Sequence, residues 1–455
     1  MRVPTVLVLP FPAQGHVNPM AILSQKLVEH GCRVIFVNTD FNHTRVVSSM
    51  AKQQHSIDES QIKLVSVPDG LEPDDDRHDF VKVCEATIST MPTSLEKLIE
   101  DIHGKGEDRI SFIVADFCMA WAMDVAAKLG IKGAIFWPAS AAVFATMYNI
   151  PKLIDDGVIN SDGSMLTTTK TIQLSPGMLE MDAGALFWLK MGDTVNFKPI
   201  FDYMVRCVQS LNLAEEWLCD TTYELEPRVL TYFPKILSIG PLLRSYDNTN
   251  ATSRSLGQFW EEDLSCMKWL DQQPHGSVTY VAFGSITLFD QNQFNELALG
   301  LDLTNRPFLW VVRQDNKLTY PSEFQGHKGK IVAWAPQQKV LNHPAISCFI
   351  THCGWNSTME GLSNGVPFLC WPYFAEQIYN KSYICDELKV RLELKPNENK
   401  LVSQWEIKKK LNQLLSDEQM RARSLELKEI VVKNVSDQGS GSSNNIRRFV
   451  KWLKS

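Results

Sequence analysis

The sequence predicts an α/β protein built from two doubly wound, Rossmann-like domains of similar size. Three observations support this fold class. Short apolar runs alternate with helical stretches, this alternation occurs in both halves of the chain, and a polar stretch separates the halves. Parallel strands joined by helices place their ligands at the carboxyl edge of the sheet. The side chains that follow each strand are therefore the first candidates for function.

The first half of the chain alternates strands with helices. Apolar and β-branched runs predict strands at Val6–Leu9, Arg33–Asn38, Ile62–Val67, Ile110–Ala115 and Gly133–Trp137. Helices are predicted from about Val17 to His30, after Trp121 and after Ser140. This order predicts a parallel sheet with helical crossovers.

The polar stretch Arg244–Arg254 lacks hydrophobic periodicity and predicts a linker. The strand pattern then restarts, with apolar runs at Ser277–Phe283, Phe308–Val312, Lys330–Trp334, Ser347–Thr351 and Phe368–Trp371. We predict an N-terminal domain over residues 1–243, a linker over 244–258, a C-terminal domain over 259–436, and a final segment over 437–455. That segment begins with a flexible stretch and ends in a short amphipathic helix from Ile446 to Leu453.

Composition indicates an ordinary globular protein. The 455 residues are 44% hydrophobic and 21% charged, and the net charge of −7 argues against a nucleic-acid partner. We expect no membrane span, because no apolar run approaches the roughly 18 residues that one requires. Ten cysteines without a CxxC pair predict reduced thiols, and the N-terminal apolar run is too short for a signal peptide. We therefore expect a cytoplasmic protein, and a monomer.

The most informative local pattern is a strand followed directly by a helix opening. The run Ser347–Thr351 predicts a buried strand, and a helix is expected to open between Gly354 and Ser357. The unpaired N–H groups and the positive dipole at such an opening favour an anion. Gly354 allows close approach, while His352, Asn356 and Ser357 supply donors, so the turn suits a diphosphate.

The segment from Trp334 to Gln377 resembles the C-terminal signature box of plant family-1 UDP-dependent glycosyltransferases. The resemblance covers the box without a gap, including the His-Cys-Gly-Trp-Asn-Ser core at 352–357 and the Gly-Val-Pro at 365–367. It implies the GT-B architecture, in which two Rossmann-like domains face an inter-domain cleft. It also implies a UDP-glycosyltransferase that transfers glucose to a hydroxyl of a small acceptor and inverts the anomeric carbon.

Carried over residue by residue, the resemblance implies a complete donor site. Trp334 and the Ala335 backbone would bind uracil, and Gln337 and Glu360 would bind ribose. The phosphates would be bound by Ser285, His352, Asn356 and Ser357, and the sugar would be bound by Trp355, Glu376 and Gln377. In the family a terminal Gln goes with glucose and a terminal His with galactose, while an Arg at the position of Trp355 goes with glucuronic acid. Gln377 and Trp355 therefore favour UDP-glucose as the co-substrate.

The catalytic base is expected in the first loop between a strand and a helix. His16 follows the first strand, and histidine is the side chain whose ordinary pKa suits proton removal near neutral pH. Asp116 follows the strand Ile110–Ala115 and would orient the imidazole and stabilise its cation. The Pro-Ala-Gln-Gly-His and Ala-Asp-Phe passages resemble the family's base and its partner. No Asp-x-Asp pair follows a strand near the phosphate turn, so we expect no metal and no further cofactor.

Other interpretations remain open for these residues. His16 could cap the first helix and Asp116 could cap the next one, a role that does not exclude catalysis. A nicotinamide-dependent reductase would use Asp40 as its ribose-binding acid, but the preceding loop has one glycine where that fold needs three. A non-catalytic sugar-nucleotide-binding protein would keep the signature box and lose the base.

The acceptor is the least determined part of the prediction. We expect it to be lined by the segments Phe80–Met91, Phe144–Ile154 and Leu186–Val205. The last of these carries Phe187, Trp188, Phe197, Phe201 and Tyr203. Such content suits a small lipophilic acceptor, with a flavonoid or other phenolic favoured over a terpenoid or steroid alcohol. Core packing explains the same aromatic residues equally well.

Overall fold

The computed structural model describes residues 3–52, 61–106, 109–166, 171–174, 178, 180–191, 197–244, 256–435 and 441–455. The chain divides into two compact units. The N-terminal unit comprises residues 1–261 and 434–455, and the C-terminal unit comprises residues 262–433.

Strands and helices alternate along the first 261 residues. The strands are β1 Thr5–Leu9, β2 Arg33–Thr39, β3 Ile62–Val67, β4 Ile110–Asp116, β5 Lys132–Trp137, β6 Thr171–Ile172, β7 Met181–Asp182, β8 Glu216–Cys219 and β9 Ile236–Ser238. The helices are α1 Gln14–Glu29, α2 Asp40–Lys52, α3 Phe80–Gly104, α4 Ala122–Lys128, α5 Ala141–Tyr148, α6 Ile150–Asp155, α7 Lys198–Leu211 and α8 Pro227–Tyr232.

The same alternation continues to the end of the chain. The strands there are β10 Val278–Ala282, β11 Phe308–Val311, β12 Gly329–Val332, β13 Ile346–Thr351, β14 Phe368–Cys370 and β15 Arg391–Glu393. The helices are α9 Ser265–Leu270, α10 Gln291–Leu303, α11 Gln337–Leu341, α12 Trp355–Asn364, α13 Gln377–Ser382, α14 Gln404–Ser416, α15 Glu418–Val435 and α16 Ser442–Leu453, with a π-helical turn at Tyr383–Leu388.

In the described residues, the N-terminal unit is organised around a seven-stranded parallel sheet with the order β3-β2-β1-β4-β5-β8-β9. Its central strand β1 is buried along its whole length and pairs with β2 on one side and β4 on the other. Such continuous burial is expected of a parallel sheet that is covered on both faces. Since β1 and β4 are neighbours, the loops that follow them meet at the carboxyl edge of the sheet.

The described part of the C-terminal unit contains a six-stranded parallel sheet with the order β12-β11-β10-β13-β14-β15. Strand β10 lies between β11 and β13, with Val281 opposite Trp310 and Ile350. The loops after β10, β11 and β13 therefore leave the sheet side by side.

The predicted domain limits differ in detail from the two units. Most of the predicted linker, residues 245–255, lies outside the described residues. The boundary predicted before residue 259 was placed too early, because Phe259 is buried in the core of the N-terminal unit and the Arg45 guanidinium lies over the Phe259 and Trp260 rings. At the other end, the C-terminal unit stops at Lys433, three residues before the predicted limit of 436.

The last helix, α16, belongs to the N-terminal unit. Its residues Ile446, Phe449 and Leu453 are buried in the core of that unit, while Arg447 and Arg448 point to solvent. This is the amphipathic pattern predicted for the segment. The stretch predicted to be flexible overlaps residues 436–440, which lie outside the described residues.

Two further sequence expectations concern the whole chain. None of the described helices is long and apolar enough to cross a membrane. All ten cysteines lie in the described residues, and each is a free thiol, nine of them buried. Asp40, which the rival reductase interpretation would use, is the first residue of α2 and is exposed.

Candidate active site

The first element of the site is a histidine–aspartate pair in the N-terminal unit. His16 lies in the first turn of α1, and Asp116 ends β4. The His16 Nδ1 atom lies 2.7 Å from Asp116 Oδ2, and the carboxylate is fully buried while one fifth of the imidazole is exposed. The neighbouring strands β1 and β4 bring the pair together from positions 100 residues apart.

The structure supports a helix-capping role for Asp116 and not for His16. The N-cap of α1 is Ala13, so His16 does not cap that helix. Asp116 does cap the short 3₁₀ turn Phe117–Met119, because its Oδ1 atom accepts a hydrogen bond of 2.8 Å from the Cys118 N–H. One oxygen of the carboxylate therefore fixes the backbone while the other holds the imidazole.

Two aromatic rings border this pair. The Phe11 and His16 ring centroids lie 5.3 Å apart, and Phe11 also stacks on Phe80 at 5.3 Å. Phe80 is partly exposed and begins α3. Phe11 itself is buried, so Phe80 is the partly exposed ring of this pair.

The pair also belongs to a cluster of three residues whose side-chain types can bind metal ions. His16, Asp116 and Cys118 each place a ligand atom within 4.8 Å of the others. Burial and the Asp116 charge raise the pKa of the Cys118 thiol well above its ordinary value, so the sulfur stays protonated and is a poor metal ligand. This donor set suits proton transfer better than metal binding.

The second element is the turn between β13 and α12 in the C-terminal unit. Cys353 adopts a left-handed backbone with φ of 67°, which is uncommon for a residue other than glycine. Gly354 is the N-cap of α12 and supplies no side-chain cap to the first turn of the helix. The predicted helix opening between Gly354 and Ser357 agrees with the start of α12 at Trp355.

His352 is held in this turn by close approach of two glycines. A Cβ atom on Gly284 would lie 2.6 Å from the His352 Nε2 atom, and one on Gly354 would lie 2.5 Å from it. Gly284 follows β10 and directly precedes Ser285, so the structure brings Ser285 into the same region as His352. Burial, together with the Arg313 charge, lowers the pKa of His352 to about 4, and the ring is neutral at physiological pH.

The residues predicted to bind ribose contact each other. The Gln337 Nε2 atom donates to Glu360 Oε2 at 2.6 Å and to Ser357 Oγ at 2.9 Å. The hydroxyl of Tyr280, a buried residue of β10, donates to Gln337 Oε1 at 3.1 Å. The structure thus joins the start of α11 to α12 and fixes the Gln337 amide between them.

The predicted uracil site lies in the loop before α11. The strand predicted over Lys330–Trp334 ends earlier, at Val332, so Trp334 lies outside it. The Trp334 side chain is partly exposed and its carbonyl accepts a hydrogen bond of 2.9 Å from the Asp263 N–H, while Ala335 is buried. The indole is a large flat ring of the kind on which a base stacks.

The three residues predicted to surround the sugar have different surroundings. Trp355 is buried at the start of α12, and Glu376 is partly buried directly before α13. Gln377 is buried, and its Oε1 atom accepts hydrogen bonds from the Tyr373 and Phe374 N–H groups at 2.9 and 3.2 Å. The Gln377 carbonyl oxygen therefore holds its own loop, and its amide N–H₂ is the end left to contact a ligand.

The aromatic residues predicted to line the acceptor site belong mainly to the core. Trp188 is fully buried, donates to the Gly163 carbonyl at 2.9 Å and packs on Phe201. Tyr203 is buried and donates to the Cys118 carbonyl. The core explanation therefore holds for these side chains and for the buried Phe11, and the partly exposed Phe80 is the better candidate for an acceptor contact. Residues 192–196 of the predicted acceptor segment lie outside the described residues.

Sequence reasoning missed three side chains that form hydrogen bonds with residues in or next to the predicted donor site. Besides Tyr280, Asn380 is buried and donates from Nδ2 to the Cys353 carbonyl at 3.0 Å. Arg313 is buried after β11 and donates to the Gly284 carbonyl at 3.1 Å. A charged residue directly after the apolar run Phe308–Val312 was the available signal for Arg313.

Comparisons with known proteins identify the family of the chain. Residues 3–155 match the family model described as glycosyltransferase, N-terminal domain, and residues 246–431 match the model described as UDP-glucoronosyl and UDP-glucosyl transferase. UDP-glycosyltransferase 83A1 of Arabidopsis thaliana is 42% identical over 99% of this chain and 97% of its own length. A 7-deoxyloganetin glucosyltransferase of Gardenia jasminoides is 33% identical over 98% of this chain and 97% of its own length.

A solved structure with the same fold supports the assignment. The crystal structure of Os79 from O. sativa in complex with UDP is 25% identical, covers 98% of this chain and 100% of its own, and aligns with a TM-score of 0.83. The predicted α/β class with two Rossmann-like GT-B domains is confirmed. Relatives that match over nearly the whole length of the chain show that this protein belongs to the UDP-glycosyltransferase family.

Proposed function

We propose that this UDP-glycosyltransferase transfers glucose from UDP-glucose to a hydroxyl of a small lipophilic acceptor and inverts the anomeric carbon. The observation that carries the proposal is the 2.7 Å contact between His16 Nδ1 and Asp116 Oδ2. A sugar-nucleotide-binding protein without activity has no use for such a pair, whereas direct displacement by an alcohol needs a general base.

The geometry of the pair specifies which nitrogen acts. A carboxylate accepts hydrogen bonds, so the His16 proton sits on Nδ1 and faces Asp116. The Nε2 atom is then the basic nitrogen that removes the acceptor proton. As the acceptor oxygen attacks the sugar carbon and UDP leaves, the imidazole becomes a cation that the buried Asp116 carboxylate stabilises.

The C-terminal unit supplies the donor-binding groups in this proposal. Uracil is bound by Trp334 and Ala335, and ribose is bound by Gln337 and Glu360. The diphosphate is bound by Ser285, His352, Asn356 and Ser357, and the sugar is bound by Trp355, Glu376 and Gln377. The observed hydrogen bonds of Gln337 to Glu360 and Ser357 support the ribose assignment, because they orient the polar side chains before a ligand arrives.

The proposed reaction requires no metal ion and no cofactor besides the co-substrate. In this proposal the negative charge that develops on the leaving diphosphate is stabilised by the positive dipole at the start of α12 and by the side-chain donors beside it. We also propose that the protein acts in the cytoplasm as a monomer. Ten free thiols support the compartment, since reducing conditions keep cysteines unpaired.

The acceptor is proposed to be a flavonoid or another phenolic, with a terpenoid or steroid alcohol as the alternative. The partly exposed Phe80 ring, which stacks on Phe11 near His16, supports an aromatic acceptor, because it offers a flat apolar face. The relative named for 7-deoxyloganetin shows that glucosylation of a small metabolite fits a chain of this length and family.

Mass spectrometry with matched acceptor panels tests this proposal. The full chain is incubated with UDP-glucose, UDP-galactose or UDP-glucuronic acid and with phenolic and terpenoid alcohols of similar size. We expect glucosides to predominate and β-linked products to form from the α-linked donor. Retained anomeric configuration, or UDP binding without transfer to any acceptor, would contradict the proposal.

A further inference from the structure

Arg313 is a buried cation next to the proposed donor site. Its side chain is only 8% exposed, and a guanidinium this deeply buried requires partners. The Nε atom donates to Asp315 Oδ1 at 2.9 Å. Because the Asp315 side chain is 38% exposed to water, this pair leaves much of the buried positive charge uncompensated.

The same guanidinium holds both ends of a loop. Its Nη1 atom donates to the Gly284 carbonyl and to the Thr287 carbonyl, each at 3.1 Å. Residues 284–287 follow β10 and include Ser285, which the proposed function assigns to the diphosphate. Hydrogen bonds from a charged donor are stronger than neutral ones, so these two contacts fix the path of the loop.

The loop and the guanidinium converge on His352. Gly284 lies so close to the His352 ring that a Cβ atom there would be 2.6 Å from Nε2. The Arg313 charge also contributes to the low pKa of His352. The Arg313 Nη2 atom and the His352 Nδ1 atom are both buried without a hydrogen-bond partner in the described part of the chain. Two polar atoms of this kind in one region indicate a place prepared for a polar ligand.

We propose that Arg313 is a positioning residue of the donor site, which fixes the loop 284–287 beside His352 and adds a buried positive charge for the diphosphate. The inference rests on the proposed function of the C-terminal unit. It assigns to Arg313 an effect on UDP and UDP-glucose, and none on the acceptor. A residue needed only for folding would affect both substrates alike.

Three variants of the full chain and one matched control test this role. Arg313→Met removes the charge and both loop contacts, whereas Arg313→Lys keeps the charge and loses the two-carbonyl contact. Asp315→Asn weakens only the anchor at Nε. Arg306→Met removes an exposed arginine of the same unit and serves as the control. UDP affinity is measured by calorimetry, and KM is measured separately for UDP-glucose and for the acceptor.

We expect Arg313→Met to weaken UDP binding and raise the KM for UDP-glucose by about tenfold or more, as loss of a charged hydrogen bond predicts. The acceptor KM stays unchanged, Arg313→Lys recovers part of the affinity, and Arg306→Met matches the wild type. If Arg313→Met does not fold, the UDP affinities of Arg313→Lys and Asp315→Asn test the inference instead. We expect Arg313→Lys to lose UDP affinity severalfold.

Wild-type affinity for UDP in Arg313→Lys and Asp315→Asn, or in a folded Arg313→Met, would overturn the inference and leave the proposed function intact. A wild-type protein that does not bind UDP at all would overturn the proposed function itself.

Discussion

His16 in the N-terminal unit and His352 in the C-terminal unit have surroundings that are opposite in charge. His16 faces the buried Asp116 carboxylate at 2.7 Å. His352 instead interacts electrostatically with the Arg313 guanidinium and lies between Gly284 and Gly354. A neighbouring anion favours the protonated ring, whereas burial beside a cation favours the neutral ring. The same side chain is thus prepared to take up a proton in one unit and to remain uncharged in the other.

Replacement of His16 is expected to have the largest effect, because it removes the proposed general base and leaves the proposed donor-binding residues unchanged. We expect His16→Ala to lower kcat by about 10²–10⁴, the usual contribution of a general base. UDP affinity should stay at the wild-type value, because the proposed donor ligands lie in the C-terminal unit. His30→Ala, at the other end of α1, is the matched control and should leave both quantities unchanged. A loss of UDP affinity equal to the loss of kcat would contradict the division between the histidines.

Asp116→Asn tests the carboxylate partner with a smaller expected effect. The amide oxygen can still accept from the Cys118 N–H, but the amide N–H₂ cannot accept from His16 Nδ1. We expect kcat to fall by about tenfold to a thousandfold with little change in either KM. Asp124→Asn, an exposed position in α4, is the control. An Asp116→Asn enzyme with the full rate would remove Asp116 from the mechanism.

Gly354→Ala tests the placement of His352. The backbone at Gly354 has φ of −58°, which alanine adopts without strain, so the added Cβ acts only through its 2.5 Å contact with the His352 ring. We expect UDP affinity to fall by about tenfold through displacement of that ring. Gly104→Ala adds a Cβ that meets nothing within 4 Å and should behave as the wild type. Equal UDP affinity in the two variants would show that the ring position is unimportant.

His352→Gln gives the smallest expected effect, which appears as a pH dependence of stability. The pKa of His352 in the folded protein is about 4, below the ordinary 6.5, so the unfolded chain binds the extra proton first. The stability associated with His352 is therefore present above pH 6.5 and is lost as the pH falls towards 4. In urea titrations at pH 7 and pH 4.5, we expect His352→Gln to lose about 1–2 kcal/mol less than the wild type. An identical loss in both proteins would indicate that His352 titrates normally.

The sequence predicted the limits of several longer strands closely, because apolar and β-branched residues dominate them. Ile62–Val67 has the predicted limits, and Ile110–Ala115 is one residue short of the observed β4. The short strands β8 and β9 were missed, since three or four residues carry too little periodicity to stand out from a loop.

The site was predictable where function depends on the order of residues along the chain. The pairing of His16 with Asp116 was implied by the family resemblance, and the structure shows that it depends on β1 and β4 being parallel neighbours that share an edge. The position of Arg313 after an apolar strand was visible in the sequence, but its hydrogen bonds to the Gly284 and Thr287 carbonyls were not, because backbone acceptors cannot be identified from residue type. Trp188 and Tyr203 were ambiguous for a related reason, since aromatic residues serve cores and ligand sites alike.

The most direct test of the central claim is the rate of His16→Ala with acceptors of graded acidity. A phenol with electron-withdrawing substituents gives up its proton easily, whereas an aliphatic alcohol depends on a base. If His16 is that base, the rate lost in His16→Ala grows steadily as the acceptor becomes less acidic. A full rate with the least acidic acceptors, or a loss that is uniform across the series, would contradict the assignment.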